Sequence, residues 1–202
     1  MVDPYDVTDF ARSRGGLEEY WLFCLAVAGK KATMIASKVD EFLGGASADE
    51  TPFSYVRRLV SEGTLAERLA DVRMGKYALL ERAYSASVSP GAPDIATASA
   101  EELEGIPGVG PKTARFFIVH SRKGARVAVI DTHVLKFLRD RGHRVPPGFP
   151  GRRDYARLER IMLSEVDASG LDPAEFDLAV WSHYASGGKT PLPSSPPSLL
   201  AA

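Results

Sequence analysis

Apolar residues recur every three or four positions along most of this chain, a spacing that predicts helices rather than strands. "GLEEYWLFCLAVAG" and "KKATMIASKVDEFLGG" read as two helices, the second closed by Gly44 and Gly45. "TPFSYVRRLVSEG" begins with Thr51 as an N-cap and Pro52 at the first helical position, and it stops at Gly63. "TLAERLADVR" and "GKYALLERAYSAS" follow as shorter amphipathic helices, and "SPGAPD" is a loop. Ser99 then caps "AEELEG", with Glu102 as its capping-box partner.

Further on, "ARVAVID" is an apolar run that reads either as a strand or as a buried connector; the connector is preferred because no pairing partner lies nearby. "DTHVLKFLRDRG" is a helix capped by Asp131 or Thr132, and "GHRVPPGFPGRR" is a loop. "DYARLERIMLSEVDASG" and "DPAEFDLAVWSHYASG" are two more capped helices. The expected architecture is all-α, about ten helices in two lobes. Residues 1–186 form one domain, and the Pro/Ser-rich stretch 187–202 is expected to be a disordered tail.

Composition narrows the classes. Hydrophobics at 45% and charges at 25% fit an ordinary globular protein. No apolar run of about 18 residues suggests a membrane span, and "MVDPYDVTDF" has acids where a signal peptide would be basic, so a cytoplasmic location is expected. Cys24 is the single cysteine. Set in "WLFCLAV", it reads as a small buried hydrophobe rather than a reactive thiol, and it excludes both internal disulfides and cysteine-ligated clusters. The net charge of −1 is unlike a nucleic-acid binder, but its distribution is not: between Lys112 and Arg144 nine basic residues face only Asp131 and Asp140.

That cluster begins at the sharpest break in the helical pattern, "LEGIPGVGPKTARFF". Glu101 to Gly105 ends one helix, "IPGVG" makes a tight turn, and Pro111 starts the next. Gly108 and Gly110 let the backbone approach a ligand closely, with Val109 between them. The free amides at the start of the following helix point outward with the positive end of its dipole, which makes an anion site. Gly108, Val109, Gly110, Lys112, Thr113 and Arg115 are therefore expected to touch DNA phosphates. Lys30 and Lys31 are further candidates for phosphate contact, or a solvated helix start. His133 reads as a structural residue, and Trp181, His183 and Tyr184 as packing for the last helix.

"LEGIPGVGPKTA" resembles the helix-hairpin-helix motif, which serves enzymes and plain DNA-binding modules alike. Asp131, in "VAVIDTHV", lies 19 positions beyond Lys112. A helix-hairpin-helix followed by an apolar run ending in aspartate resembles the DNA glycosylase superfamily named for that hairpin, and "PGVGPKTA" with "IDTH" is most similar to endonuclease III and its relatives. The likeness is strongest over 103–138 and thinner on either side. It implies that the hairpin lies between two helical lobes, that Lys112 is the nucleophile and that Asp131 is essential for catalysis. Endonuclease III carries a four-cysteine iron–sulfur cluster, which a chain with one cysteine cannot hold. Here "LAVAGKKA" replaces an "LLSAQAT"-like segment, with Gly29 where a glutamine fills the gap left by the flipped base.

The implied activity is removal of a damaged base. The base is flipped out of the duplex, and a neutral lysine amine displaces it from C1′ of its deoxyribose. The helix start and Arg115 are expected to favour the neutral amine, while Asp131 orients or deprotonates it, or stabilises positive charge developing on the sugar. A Schiff base results, which permits β-elimination at the abasic site; no metal or organic cofactor is needed. The implied partner is double-stranded DNA carrying a damaged or modified base or an abasic site, met by a monomer. Two readings compete: a non-enzymatic DNA-binding module, and a glycosylase-fold enzyme for hypermodified bases. Lys112 could be a simple phosphate contact and Asp131 a simple N-cap. Oxidised pyrimidines fit the nearest resemblance, with 8-oxoguanine as the rival lesion.

Overall fold

The computed structural model describes residues 2–193, and every regular element among them is an α-helix. In chain order these are α1 (Arg14–Val27), α2 (Ala32–Leu43), α3 (Pro52–Glu62), α4 (Leu65–Asp71), α5 (Tyr77–Val88), α6 (Ala100–Leu103), α7 (Pro111–Ser121), α8 (Thr132–Asp140), α9 (Arg152–Ser169) and α10 (Pro173–Ala185). The chain divides into two units, Met1–Phe117 and Ile118–Ala202. The boundary falls inside α7, and the hairpin made by α6, its turn and the start of α7 belongs to the first unit.

The first unit is built around α1. Residues Tyr20 to Ala26 are all buried, the mark of a helix apolar on every side and surrounded by others. It packs against α2, α3 and α5. Its polar atoms find partners inside: Trp21 Nε1 donates to Ser87 Oγ at 2.8 Å, and Tyr84 Oη donates to the Leu22 carbonyl at 3.0 Å. Glu18, almost fully buried, accepts from the Phe53 amide at 3.0 Å and from Arg14 Nε at 3.0 Å. The local stop and start signals act as the sequence suggests. Thr51 accepts from the Ser54 amide at the head of α3, which closes on left-handed Gly63. Ser99 and Glu102 complete a reciprocal capping box at α6.

The second unit gathers α8, α9 and α10 around Phe137, Leu138, Leu158, Met162, Phe176 and Val180. Phe137 and Phe176 meet edge to face, with ring centroids 5.7 Å apart. Inside this unit His120 is fully buried and bonds Asp177 at 3.2 Å, tying the end of α7 to α10. The "ARVAVID" run is a connector and not a strand, with Ala128, Val129 and Ile130 all buried. Buried backbone needs partners, and here side chains supply them. Tyr155 Oη accepts from the Ile130 amide at 2.9 Å and donates to the Ala128 carbonyl at 3.1 Å, while Glu159 accepts from the Ala128 amide at 3.0 Å.

Two expectations are corrected here. Helix α9 starts at Arg152 rather than near Asp154, and its N-cap, Gly151, gives no side-chain cap; Asp154 instead sits in the first turn, where its charge complements the helix dipole. Residues 187–193, expected to begin a disordered tail, fold back on α10: the Thr190 carbonyl meets His183 Nδ1, the Thr190 amide donates to Ser186 Oγ at 3.3 Å, and Leu192 packs on the core. Positions 194–202 of that expected tail lie outside the described residues.

Candidate nucleic-acid interface and catalytic lysine

The hairpin turn is held from below by apolar side chains: Leu103, Ile106 and Val109 are buried. The Ile106 amide bonds Leu103 O at 3.0 Å and the Val109 amide bonds Ile106 O at 3.0 Å, closing two successive turns. Gly108 takes φ +88°, a left-handed value that favours glycine, and a Cβ there would meet Leu79 Cδ1 at 2.7 Å and Ala83 Cβ at 4.0 Å. The turn therefore lies against the first half of α5. At Gly110 a Cβ would meet nothing within 4 Å.

Amide availability separates the residues expected to touch phosphate. The N–H groups of Gly108, Gly110, Lys112 and Thr113 have no acceptor among the described residues, and α7 begins its own ladder with the Ala114 amide on Gly110 O at 3.1 Å. Those four unspent donors lie at the positive end of the α7 dipole, the arrangement on which the expected anion site depends. Val109 does not belong to it, because its amide is spent inside the turn and its side chain is buried.

Arg115 is a second correction. Only 7% exposed, it bonds Glu104 at 2.5 Å and Glu101 at 3.1 Å. The Glu104 side chain is equally buried, so the pair locks α7 to the end of the preceding helix. Arg115 thus builds the hairpin from inside instead of reaching a phosphate, and its charge is already compensated. Sequence reading missed this pairing, although opposite charges 11 residues apart on either side of the hairpin turn were a usable signal.

Lys112 is half-buried at the head of α7, with Nζ 5.7 Å from the centroid of the Phe116 ring one turn on. Beside it runs an aromatic wall: Tyr20 stacks with Phe117 at 5.7 Å and contacts Phe116 at 6.3 Å, and Arg12 lies over the Tyr20 ring at 4.0 Å. Cys24 is buried behind this wall, and burial pushes its thiol up to about 12, with Tyr20, Arg12 and Lys112 opposing. It is an inert packing residue, as its flanks suggested.

In the second unit Asp131 is the N-cap of α8. One oxygen, Oδ1, accepts from the amides of His133 and Val134, each at 2.8 Å. Oδ2 has no partner among the described residues, so capping uses only half of this carboxylate. His133 sets its ring edge-on to Trp181 at 5.9 Å, consistent with a structural role. Trp181 itself is 50% exposed and does not pack inward as expected. Lys31 is the exposed N-cap of α2, and the Lys30 ammonium turns inward to the Met74 carbonyl.

Comparison with known proteins bears on this arrangement. Residues 92–115 match the helix-hairpin-helix motif family. The fold is similar to that in the crystal structure of the Methanocaldococcus jannaschii 8-oxoguanine glycosylase/lyase bound to a 15mer DNA containing 8-oxoguanine, with a TM-score of 0.63 at 20% identity over 90% of this chain and 85% of that one. The chain has the helix-hairpin-helix DNA glycosylase fold. The 8-oxoguanine DNA glycosylase of Thermotoga maritima is similarly related, with a TM-score of 0.62 at 21% identity over 88% of this chain and 83% of that one. In sequence, 85 residues are 34% identical to an 8-oxoguanine DNA glycosylase/AP lyase of Thermotoga sp. strain RQ2, and 33% identical to that of Thermotoga maritima. Each match covers 41% of this chain and 39% of the relative. These relatives of the glycosylase-fold chain are 8-oxoguanine enzymes, the lesion that ranked second on the sequence motifs alone. Among the described residues no helix is long and apolar enough to cross a membrane.

Proposed function

We propose that this protein is a bifunctional DNA glycosylase/AP lyase that removes 8-oxoguanine from double-stranded DNA. The observation that carries the reading is the 85-residue match to 8-oxoguanine glycosylase/AP lyases, joined to a lysine at the head of the hairpin's second helix. The free amides of Gly108, Gly110, Lys112 and Thr113 grip the backbone of the damaged strand. The modified guanine leaves the stack at a cost of roughly a few kcal/mol. The neutral Lys112 amine attacks C1′, the C1′–N9 bond breaks, and the base departs with its electron pair and picks up a proton. The C1′–O4′ bond then breaks, O4′ takes a proton, and C1′ remains joined to the Lys112 nitrogen as a Schiff base. Loss of a C2′ proton then expels the 3′ phosphate, which is the lyase step. Asp131 serves through its free Oδ2, either taking a proton from the Lys112 ammonium so that the neutral amine can attack or stabilising the positive charge on the sugar. The protein acts as a monomer on nucleoid DNA and, because the chemistry is an amine's, excision continues in the presence of a metal chelator.

The test is excision from otherwise identical duplexes holding 8-oxoguanine, thymine glycol or no lesion. Release of 8-oxoguanine alone is the expected result, lost in Lys112→Ala. Asp131→Asn is the informative partner, because asparagine caps a helix about as well as aspartate. It should leave the melting temperature close to wild type while slowing excision by about 10²–10⁴-fold, the range of a positioned acid–base group. Excision of thymine glycol in preference to 8-oxoguanine would overturn the substrate assignment.

A further inference from the structure

The loop between α8 and α9 turns an aromatic side chain outward. Phe149 is 62% exposed, more than any other large apolar side chain described in the second unit. The loop around it is anchored on both sides. Val145 packs against the core, Pro150 is buried, and Arg157 on α9 donates from Nη2 to the Arg144 carbonyl at 2.8 Å. A Cβ at Gly148 or Gly151 would meet nothing within 4 Å, so the backbone on either side of Phe149 borders open space.

Single exposed apolar residues are common on protein surfaces and need no ligand. Phe149 differs in its company. From 141 to 153 the chain has Arg141, Arg144, Arg152 and Arg153 and no acid. Arg141 Nη2 lies 3.8 Å from Glu165, but the exposed guanidinium groups of Arg144 and Arg153 have neither a hydrogen bond nor an ion pair among the described residues. The nearby carboxylates are engaged elsewhere, Asp154 with Arg157 and Glu165 with Arg141 and His143. An aromatic face beside uncompensated guanidinium groups suits a nucleic-acid strand, which brings a base for the ring and phosphates for the arginines.

The position agrees with that chemistry. Helix α9 begins at Arg152, and in its first turn the Tyr155 hydroxyl accepts from the Ile130 amide. The start of α9 thus lies against the connector that ends in Asp131, and a strand that reaches Asp131 passes close to it. The ring also selects among forms of DNA. To stack inside an intact duplex it has first to open a base step, whereas an unpaired base offers its face at once. A phenyl group has no donor or acceptor with which to read paired base edges in a groove.

From these placements we infer that Phe149 is a stacking platform for an unpaired base of single-stranded DNA, with Arg144 and Arg153 taking phosphates of the same strand. The inference rests on the DNA reading above and adds to it a site in the second unit that accepts a base without reading its identity.

Binding measurements on the full chain test it, with a labelled oligothymidylate, a base-free strand of the same length and a fully paired duplex. Wild type should prefer the oligothymidylate to the base-free strand, and equal affinity overturns the proposal whatever any variant does. Phe149→Ala should weaken oligothymidylate binding by about 5–100-fold, the range of one stacked base, while Phe149→Tyr keeps the wild-type affinity. Undiminished binding by Phe149→Ala overturns the platform. So does an equal loss on all three ligands at an unchanged melting temperature, which would make the loop a general backbone contact. Displacement of the strand by polyglutamate from wild type but not from Phe149→Ala would assign the loop to an acidic protein instead. Arg144→Gln/Arg153→Gln should reduce the slope of log K against log salt by about 0.7 for each lost phosphate contact, and an unchanged slope removes the arginines from the site. Wild type that excises 8-oxoguanine while Phe149→Ala binds the oligothymidylate normally would lose the platform and keep its function. A selective loss in Phe149→Ala of a protein that excises nothing would keep the platform and lose the enzymatic reading.

Discussion

The two glycines of the hairpin differ in what they must do. Gly108 has φ +88° and lies against Leu79, whereas Gly110 has open space around it. Gly108→Ala should cost about 1–2 kcal/mol of stability from its left-handed backbone alone, and Gly110→Ala much less, as read by urea denaturation. Equal effects would mean the turn is not held as described. Arg115 makes a second contrast, since its partner Glu104 is buried and Glu101 is 75% exposed. Glu104→Ala should cost about 3–5 kcal/mol by stranding a buried guanidinium, and Glu101→Ala under about 1 kcal/mol. At this scale local chemistry was legible: the Thr51 and Ser99 caps follow from neighbours a few residues away. The Arg115–Glu104 pair was not legible, because it depends on two helices meeting across the turn.

Elements whose identity follows from periodicity were readable, and those held by long-range partners were not. Helix α1 is recognisable from its unbroken apolar run. The 126–131 segment was ambiguous because an apolar run of that length suits a strand or a buried connector equally well. Its conformation is decided 25–31 residues away, by Tyr155 and Glu159 on α9. Tyr155→Phe removes one hydroxyl that serves both the Ile130 amide and the Ala128 carbonyl, while leaving the ring in place. It should lower stability by about 1–3 kcal/mol, the cost of leaving buried backbone groups unpaired. A urea midpoint equal to wild type would show that water or another group takes the hydroxyl's place. The start of α9 was misjudged for a related reason: Asp154 has the chemistry of a cap, but Tyr155 already closes on the Gly151 carbonyl at 2.8 Å, which puts Asp154 within the helix.

For the whole molecule, net charge was a poor guide and charge placement a better one. A chain of net charge −1 still leaves the Gly108, Gly110, Lys112 and Thr113 amides without an acceptor among the described residues, and its acids are largely committed to arginines and caps. Lys112 and Asp131 suggested a class of chemistry from the sequence, whereas no local motif pointed to one lesion; 8-oxoguanine is proposed because the relatives similar in sequence are 8-oxoguanine enzymes. The proposed chemistry depends above all on Lys112 as the nucleophile. The most direct measurement is borohydride reduction of the protein mixed with a duplex containing 8-oxoguanine, followed by peptide mass mapping. A covalent adduct on Lys112 is the expected result, absent in Lys112→Ala although that variant still binds the duplex. An adduct on another residue, or one that persists in Lys112→Ala, would contradict it.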